Sequence, residues 1–131
     1  MAKKLSETLK FDDKGLIPAV IQDADDGTIL MVAYMNKESF ELTLKNKKAC
    51  FYSRSRQKLW LKGESSGNVQ KVKEIYVDCD ADCVLVKVKQ IGDAACHTGF
   101  RTCFYRKVES NSLKTKGKPV FDPEKVYKKS K

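Results

Sequence analysis

The apolar residues of this chain come in short runs, and that limits what it can fold into. Val84-Leu85-Val86-Lys87-Val88-Lys89-Gln90 alternates apolar with polar at period two, as a half-buried strand does. Residues 16–22 and 28–35 read as two further strands, separated by the turn formers Asp25-Asp26-Gly27. Ala49-Cys50-Phe51-Tyr52-Ser53, Gln57-Lys58-Leu59-Trp60-Leu61 and the β-branched stretch from Val69 to Val77 add three more. One segment, Lys37 to Lys47, reads as a helix: Phe40, Leu42 and Leu44 lie among polar residues, and Asn36 is placed to cap it. Gly63-Glu64-Ser65-Ser66-Gly67-Asn68 is a polar loop of turn formers. Many short strands with one helix predict a mainly β, α+β domain built on a small curled sheet, not a parallel β-α-β array.

The chain's 131 residues suffice for one domain. Its longest apolar run, Ile29 to Met35, is far shorter than the ~20 residues that cross a bilayer. The start, Met1-Ala2-Lys3-Lys4-Leu5-Ser6, lacks the apolar stretch of a secretion signal. A membrane protein is excluded and a cytoplasmic location expected. Twenty-six basic against seventeen acidic residues give a net charge of +9. From Lys107 onward eight lysines face three acidic residues, so this stretch holds +5 of that excess. It reads as a solvated basic extension. The body is only mildly basic, which suits an anionic small substrate and demands no nucleic acid.

Five cysteines in a chain of this kind argue against a disulfide framework and toward metal or catalysis. Four of them lie between Cys79 and Cys103, with the only histidine, His97, in the same span. In Asp78-Cys79-Asp80-Ala81-Asp82-Cys83, an extended backbone would put the three carboxylates on one face and Cys79 with Cys83 on the other. Such carboxylates either bind a hard cation, Mg²⁺ or Ca²⁺, or form a solvent-exposed acidic turn. Cys79, Cys96 and Cys103 follow the pattern C-x16-C-x6-C. Thiolates suit Zn²⁺, and three of them leave one position open, as catalysis requires. This spacing leaves catalytic zinc, structural zinc and buried free cysteines all open. His97, beside Cys96, carries an imidazole, the side-chain type suited to exchange a proton with a metal-bound water.

Ser53-Arg54-Ser55-Arg56 offers guanidinium forks that match phosphate oxygens, or else forms an exposed basic edge. Trp60 can stack on a purine or simply pack in the core, and Lys62 adds a point charge. The loop carrying Ser65 and Ser66 can present hydroxyls and N–H groups to an anion. Within sixteen residues these features make a nucleotide-phosphate site plausible.

Taken together, the motifs resemble the phosphoribosyl-AMP cyclohydrolase family of histidine biosynthesis. Ser53-Arg54-Ser55-Arg56 with Leu59 to Asn68 is one half of the likeness. Asp78-Cys79-Asp80-Ala81-Asp82, Ala95-Cys96-His97-Thr98-Gly99 and Cys103-Phe104 form the other, and Met31 to Asn36 also fits. The resemblance covers roughly residues 16–106. It implies a hydrolase domain over 1–106, with 107–131 as an extension outside the pattern, and a stand-alone enzyme. The implied fold is a small curled mixed sheet or pseudo-barrel in an intertwined homodimer. The implied ligands are Cys79, Cys96 and Cys103 for zinc, drawn from both subunits, and Asp78, Asp80 and Asp82 for magnesium. The implied reaction opens the adenine ring of 1-(5-phosphoribosyl)-AMP at N1–C6 by attack of a zinc-activated water on C6. His97 is then the proton carrier. Ser53, Arg54, Arg56, Trp60, Lys62, Ser65 and Ser66 are expected around the small nucleotide substrate. Cys50 and Cys83 receive no role.

Two other functions compete. A structural-zinc nucleic-acid module fits the charge but not three aspartates beside a zinc ligand, which repel phosphates. A thiol redox protein predicts no need for His97.

Overall fold

Period-two burial builds the centre of the molecule, as the sequence pattern predicts. In the computed structural model, which describes residues 5–121, strand β1 (Ile17–Asp23) buries every second residue. Strand β6 (Val84–Gln90) does the same with Val84, Val86 and Val88. These two run parallel side by side. Strand β2 (Ile29–Met35) flanks β1 and strand β5 (Gln70–Val77) flanks β6, both antiparallel, giving the order β2-β1-β6-β5. The sheet is thus mixed and curled. It does not close into a barrel, because β2 and β5 remain its two edges.

Helix α1 (Lys37–Asn46) begins where Asn36 Oδ1 accepts from the Ser39 N–H at 2.8 Å, and Ser39 Oγ accepts from the Asn36 N–H at 2.8 Å. This reciprocal cap satisfies two otherwise orphaned donors. The helix ends at Lys47, whose backbone is left-handed. Phe40 is fully buried against the sheet. Thr43 Oγ1 accepts from the Cys50 N–H at 3.0 Å, stitching the helix to strand β3 (Cys50–Ser53). Strand β3 pairs with strand β4 (Lys58–Leu61), placing Phe51 opposite Trp60. The core gathers Ile17, Ile21, Leu30, Met35, Phe40 and Phe51 with the three valines of β6. Removing either phenylalanine side chain would cost about 3–5 kcal/mol.

The basic extension opens with a hairpin of strands β7 (Arg106–Glu109) and β8 (Ser112–Thr115). The chain then returns to the body, where the Val120 N–H donates to the Gly99 carbonyl at 2.6 Å. Residues 122–131 of that extension, and 1–4, lie outside the described residues.

The segment Asp78 to Cys83 departs from the extended reading. It is the reversal joining β5 to β6, with Ala81 left-handed at φ 61° and the Asp78 N–H bonded to the Cys83 carbonyl at 3.0 Å. Asp78 Oδ1 accepts from the N–H groups of Asp82 at 3.0 Å and Cys83 at 3.3 Å. A carboxylate that caps its own turn favours the reversal over extension. The pleat therefore does not sort these residues onto two faces.

Candidate metal centre and substrate groove

The loop from Ala95 to Cys103 is folded back on itself and tied to the sheet. Within it, the Ala95 N–H donates to the Arg101 carbonyl at 3.0 Å and the Cys96 N–H to the Phe100 carbonyl at 3.1 Å. Gly99 permits the turn at φ 97°, and a side chain there would collide with the Phe121 carbonyl. Arg101 reaches Asp26 at 2.9 Å and Asp23 at 3.5 Å, in and beside the β1–β2 turn. The Cys103 N–H donates to the Leu30 carbonyl at 2.7 Å. These ties bring Cys103 close enough to Cys96 for the Cys96 thiol to act on that of Cys103. Desolvation of the sulfur, then the neighbouring Cys96, pushes the Cys103 thiol up to about 12, against the opposing pull of Lys62. Cys103 as a residue is still exposed, whereas Cys96 is buried. Cys96 Sγ also lies 2.9 Å from Thr98 Oγ1. His97 is exposed at the tip of the same loop.

Lys62 enters this loop from the other half of the motif. It is buried, and its ammonium donates to the carbonyl of Ala95. Burial pushes its pKa down, while the thiols of Cys103 and Cys96 push it back up. Its Nζ lies 5.6 Å from the centre of the Trp60 ring.

Trp60 in turn lines an open groove of about 590 Å³ with Tyr34, Tyr52, Ser53, Arg54 and Lys14 among its walls. The Arg54 guanidinium stacks 4.1 Å above the Tyr34 ring. Ser53 Oγ accepts from the Arg56 N–H at 3.2 Å, shaping the tight β3–β4 turn. The structure thus gathers Ser53, Arg54 and Trp60 in one groove. Arg56 is exposed beside it and does not line it. Ser65 and Ser66 lie on the 63–68 loop. There Ser66 Oγ accepts from the Asn68 N–H at 3.1 Å, and the Asn68 carbonyl accepts from Gln90 Nε2 at 2.9 Å. Gly63 in that loop has φ 88° and sits so close to Val69 that a Cβ would fall 2.4 Å from its backbone nitrogen. Lys14, Tyr34 and Tyr52 are groove residues that motif reasoning passed over. For Tyr34 the available signal was an aromatic one residue short of the end of a strand that carries the family pattern.

Asp78, Asp80 and Asp82 cluster on the β5–β6 turn. Asp82 is raised above its ordinary value, chiefly by its contact with Asp78 and then by partial desolvation and the charges of Asp78 and Asp80. Cys79 is exposed on this turn, its Sγ 3.6 Å from Asp80 Oδ1. The turn stands at the start of β6, whereas the Cys96–Cys103 pair stands beyond its end, near the β1–β2 turn. Among the described residues, no three His, Cys, Asp or Glu side chains of a single chain form a metal cage. The chemistry of the paired thiols nonetheless fits a soft cation, and the clustered carboxylates fit a hard one.

A small mixed-sheet domain with paired thiols beside a histidine, and an Arg- and Trp-lined groove joined to them by one lysine, has the parts of a hydrolase of small anionic substrates. The family model described as phosphoribosyl-AMP cyclohydrolase matches residues 31–105. A curated phosphoribosyl-AMP cyclohydrolase of Chlorobium phaeovibrioides is 57% identical over 97% of this chain and 93% of its own length. That of Desulfatibacillum aliphaticivorans is 63% identical over 88% of this chain and 92% of its own. That of Chloroherpeton thalassium is 59% identical over 97% and 91%. The chain belongs to the phosphoribosyl-AMP cyclohydrolase family.

Proposed function

We propose that this enzyme opens the adenine ring of 1-(5-phosphoribosyl)-AMP at the N1–C6 bond, a step of histidine biosynthesis in the cytoplasm. It works as a homodimer that uses zinc and magnesium. The observation that supports this reading is the meeting of Cys96 and Cys103 on the loop that exposes His97. Together with Cys79 of a second copy, these thiols would hold zinc. Asp78, Asp80 and Asp82 would hold magnesium near a substrate phosphate. What zinc supplies when held there is acidification of the attacking water. His97 takes a proton from that water as C6 is attacked and returns it to N1 as the ring opens. Trp60 stacks on the purine, and Arg54, held flat by Tyr34, pairs with a phosphate through its fork. Ser53 borders the same anion. Because N1 carries a ribose, the ring is cationic and C6 is electron-poor, so the attack needs no prior protonation.

The test follows the loss of purine absorbance with phosphoribosyl-AMP, with and without a zinc chelator. Turnover that the chelator abolishes and added zinc restores is expected. Full turnover in the chelated protein, with no zinc retained, would overturn the metal reading.

A further inference from the structure

Lys62 is the buried lysine of the described residues, with 7% of its surface exposed. A lysine is rarely buried without a partner, because desolvating an ammonium is costly. One carbonyl, that of Ala95, meets only one of its three donors. The other groups acting on it are the sulfurs of Cys103 and Cys96 and the face of Trp60. The backbone behind it is fixed, since the Lys62 N–H donates to the Ala49 carbonyl at 3.1 Å. Its side chain therefore spans from the groove strand to the residue directly before Cys96.

We infer that Lys62 is a positioning residue of the thiol pair, not a substrate ligand. Its ammonium anchors the Ala95 carbonyl and compensates the negative charge that Cys96 and Cys103 carry when they hold a metal. This inference rests on the zinc reading above. It places a fixed cation behind a thiolate-rich centre, where it offsets the charge that sulfur ligands donate to the metal. It also ties the Trp60 side of the groove to the metal loop, because Lys62 Nζ meets both.

The test compares zinc loss from the purified protein to a chromogenic chelator in wild type, K62M and K62Q. The second variant keeps a hydrogen-bond donor and drops the charge. Faster zinc loss by tenfold or more in K62M is expected, with smaller acceleration in K62Q and an unchanged KM at saturating zinc. Fluorescence of the chain's one tryptophan verifies that each variant is folded. If K62M does not fold, K62Q against K62R decides: zinc retained by K62R and lost by K62Q supports the role, and retention by K62Q overturns it. Wild-type zinc retention in K62M together with a raised KM would make Lys62 a substrate ligand and overturn the inference. A wild-type protein that binds no zinc would remove the metal reading, and this inference with it.

Discussion

Cys79 cannot join Cys96 and Cys103 around one ion within a single chain. Strand β6 separates them: the Asp78–Cys83 turn leads into Val84, and the cysteine loop follows Gln90. Seven residues at about 3.3 Å each put roughly 20 Å between the two ends. Sulfurs bound to one zinc through bonds of about 2.3 Å lie less than ~4 Å apart. A three-thiolate centre would therefore have to take Cys79 from one copy and the thiol pair from another. The perturbation is to make C79S and C96S separately, then unfold, mix and refold them together. Each variant alone has no intact centre. A mixed two-fold dimer places one chain's intact Cys79 beside the other chain's intact pair, so one of its two centres is complete. With random pairing half the dimers are mixed, and the mixture recovers about one quarter of wild-type activity and zinc. The assay is turnover and bound zinc before and after mixing. A mixture as inactive as its two components, with dimers shown to exchange, would refute the argument that the centre is shared.

H97A is expected to lower kcat by about 10²–10⁴ while leaving zinc stoichiometry intact, read by turnover and metal analysis. R54K is expected to raise KM nearly as much as R54A, because an ammonium can neither stack flat on Tyr34 nor fork to a phosphate. G99A forces a side chain into φ 97° and against the Phe121 carbonyl, so urea unfolding should show a loss of about 1–3 kcal/mol, smaller in a chain ending at Lys118. The Thr28 backbone and hydroxyl, and then Arg101, hold the Asp26 carboxyl well below its ordinary 3.8. Its stabilising effect is thus present above pH 3.8 and fades as pH falls toward the lowered value, so D26N should flatten the acid limb of thermal stability.

The strands were legible because burial on one face writes a period of two. The helix was legible because Asn36 is placed to cap it and Phe40, Leu42 and Leu44 lie among polar residues. Strand ends moved by one residue at most from the pattern, and Val84–Gln90 lies where alternation puts it. The Asp78–Cys83 segment was not legible as a turn. It holds no glycine or proline, and its reversal depends on Asp78 capping its own backbone. Ser53, Arg54 and Trp60 meet as their spacing suggests, since a tight hairpin brings β3 and β4 together. Lys62 could not be placed from its type. Lysine reads as surface charge, and only the fold reveals that its head is enclosed by a loop more than thirty residues away.

The cysteine loop is held at several separate points, among them Arg101 on the β1–β2 turn, the Cys103 N–H on Leu30, the Ala95 carbonyl on Lys62 and the Gly99 carbonyl on the Val120 N–H. Each anchor sits on a different element, so the loop cannot shift about one hinge without breaking the others. At its tip the side chain of His97 is exposed. As a general acid–base group, His97 would have to sit within hydrogen-bond reach of both the attacking water and the leaving ring nitrogen. Ligand sulfurs would need the same precision, because a misplacement of a few tenths of an ångström weakens a metal bond. The loop would meet both demands at once, because the Cys96–Gly99 turn that fixes the Cys96 sulfur also presents the imidazole.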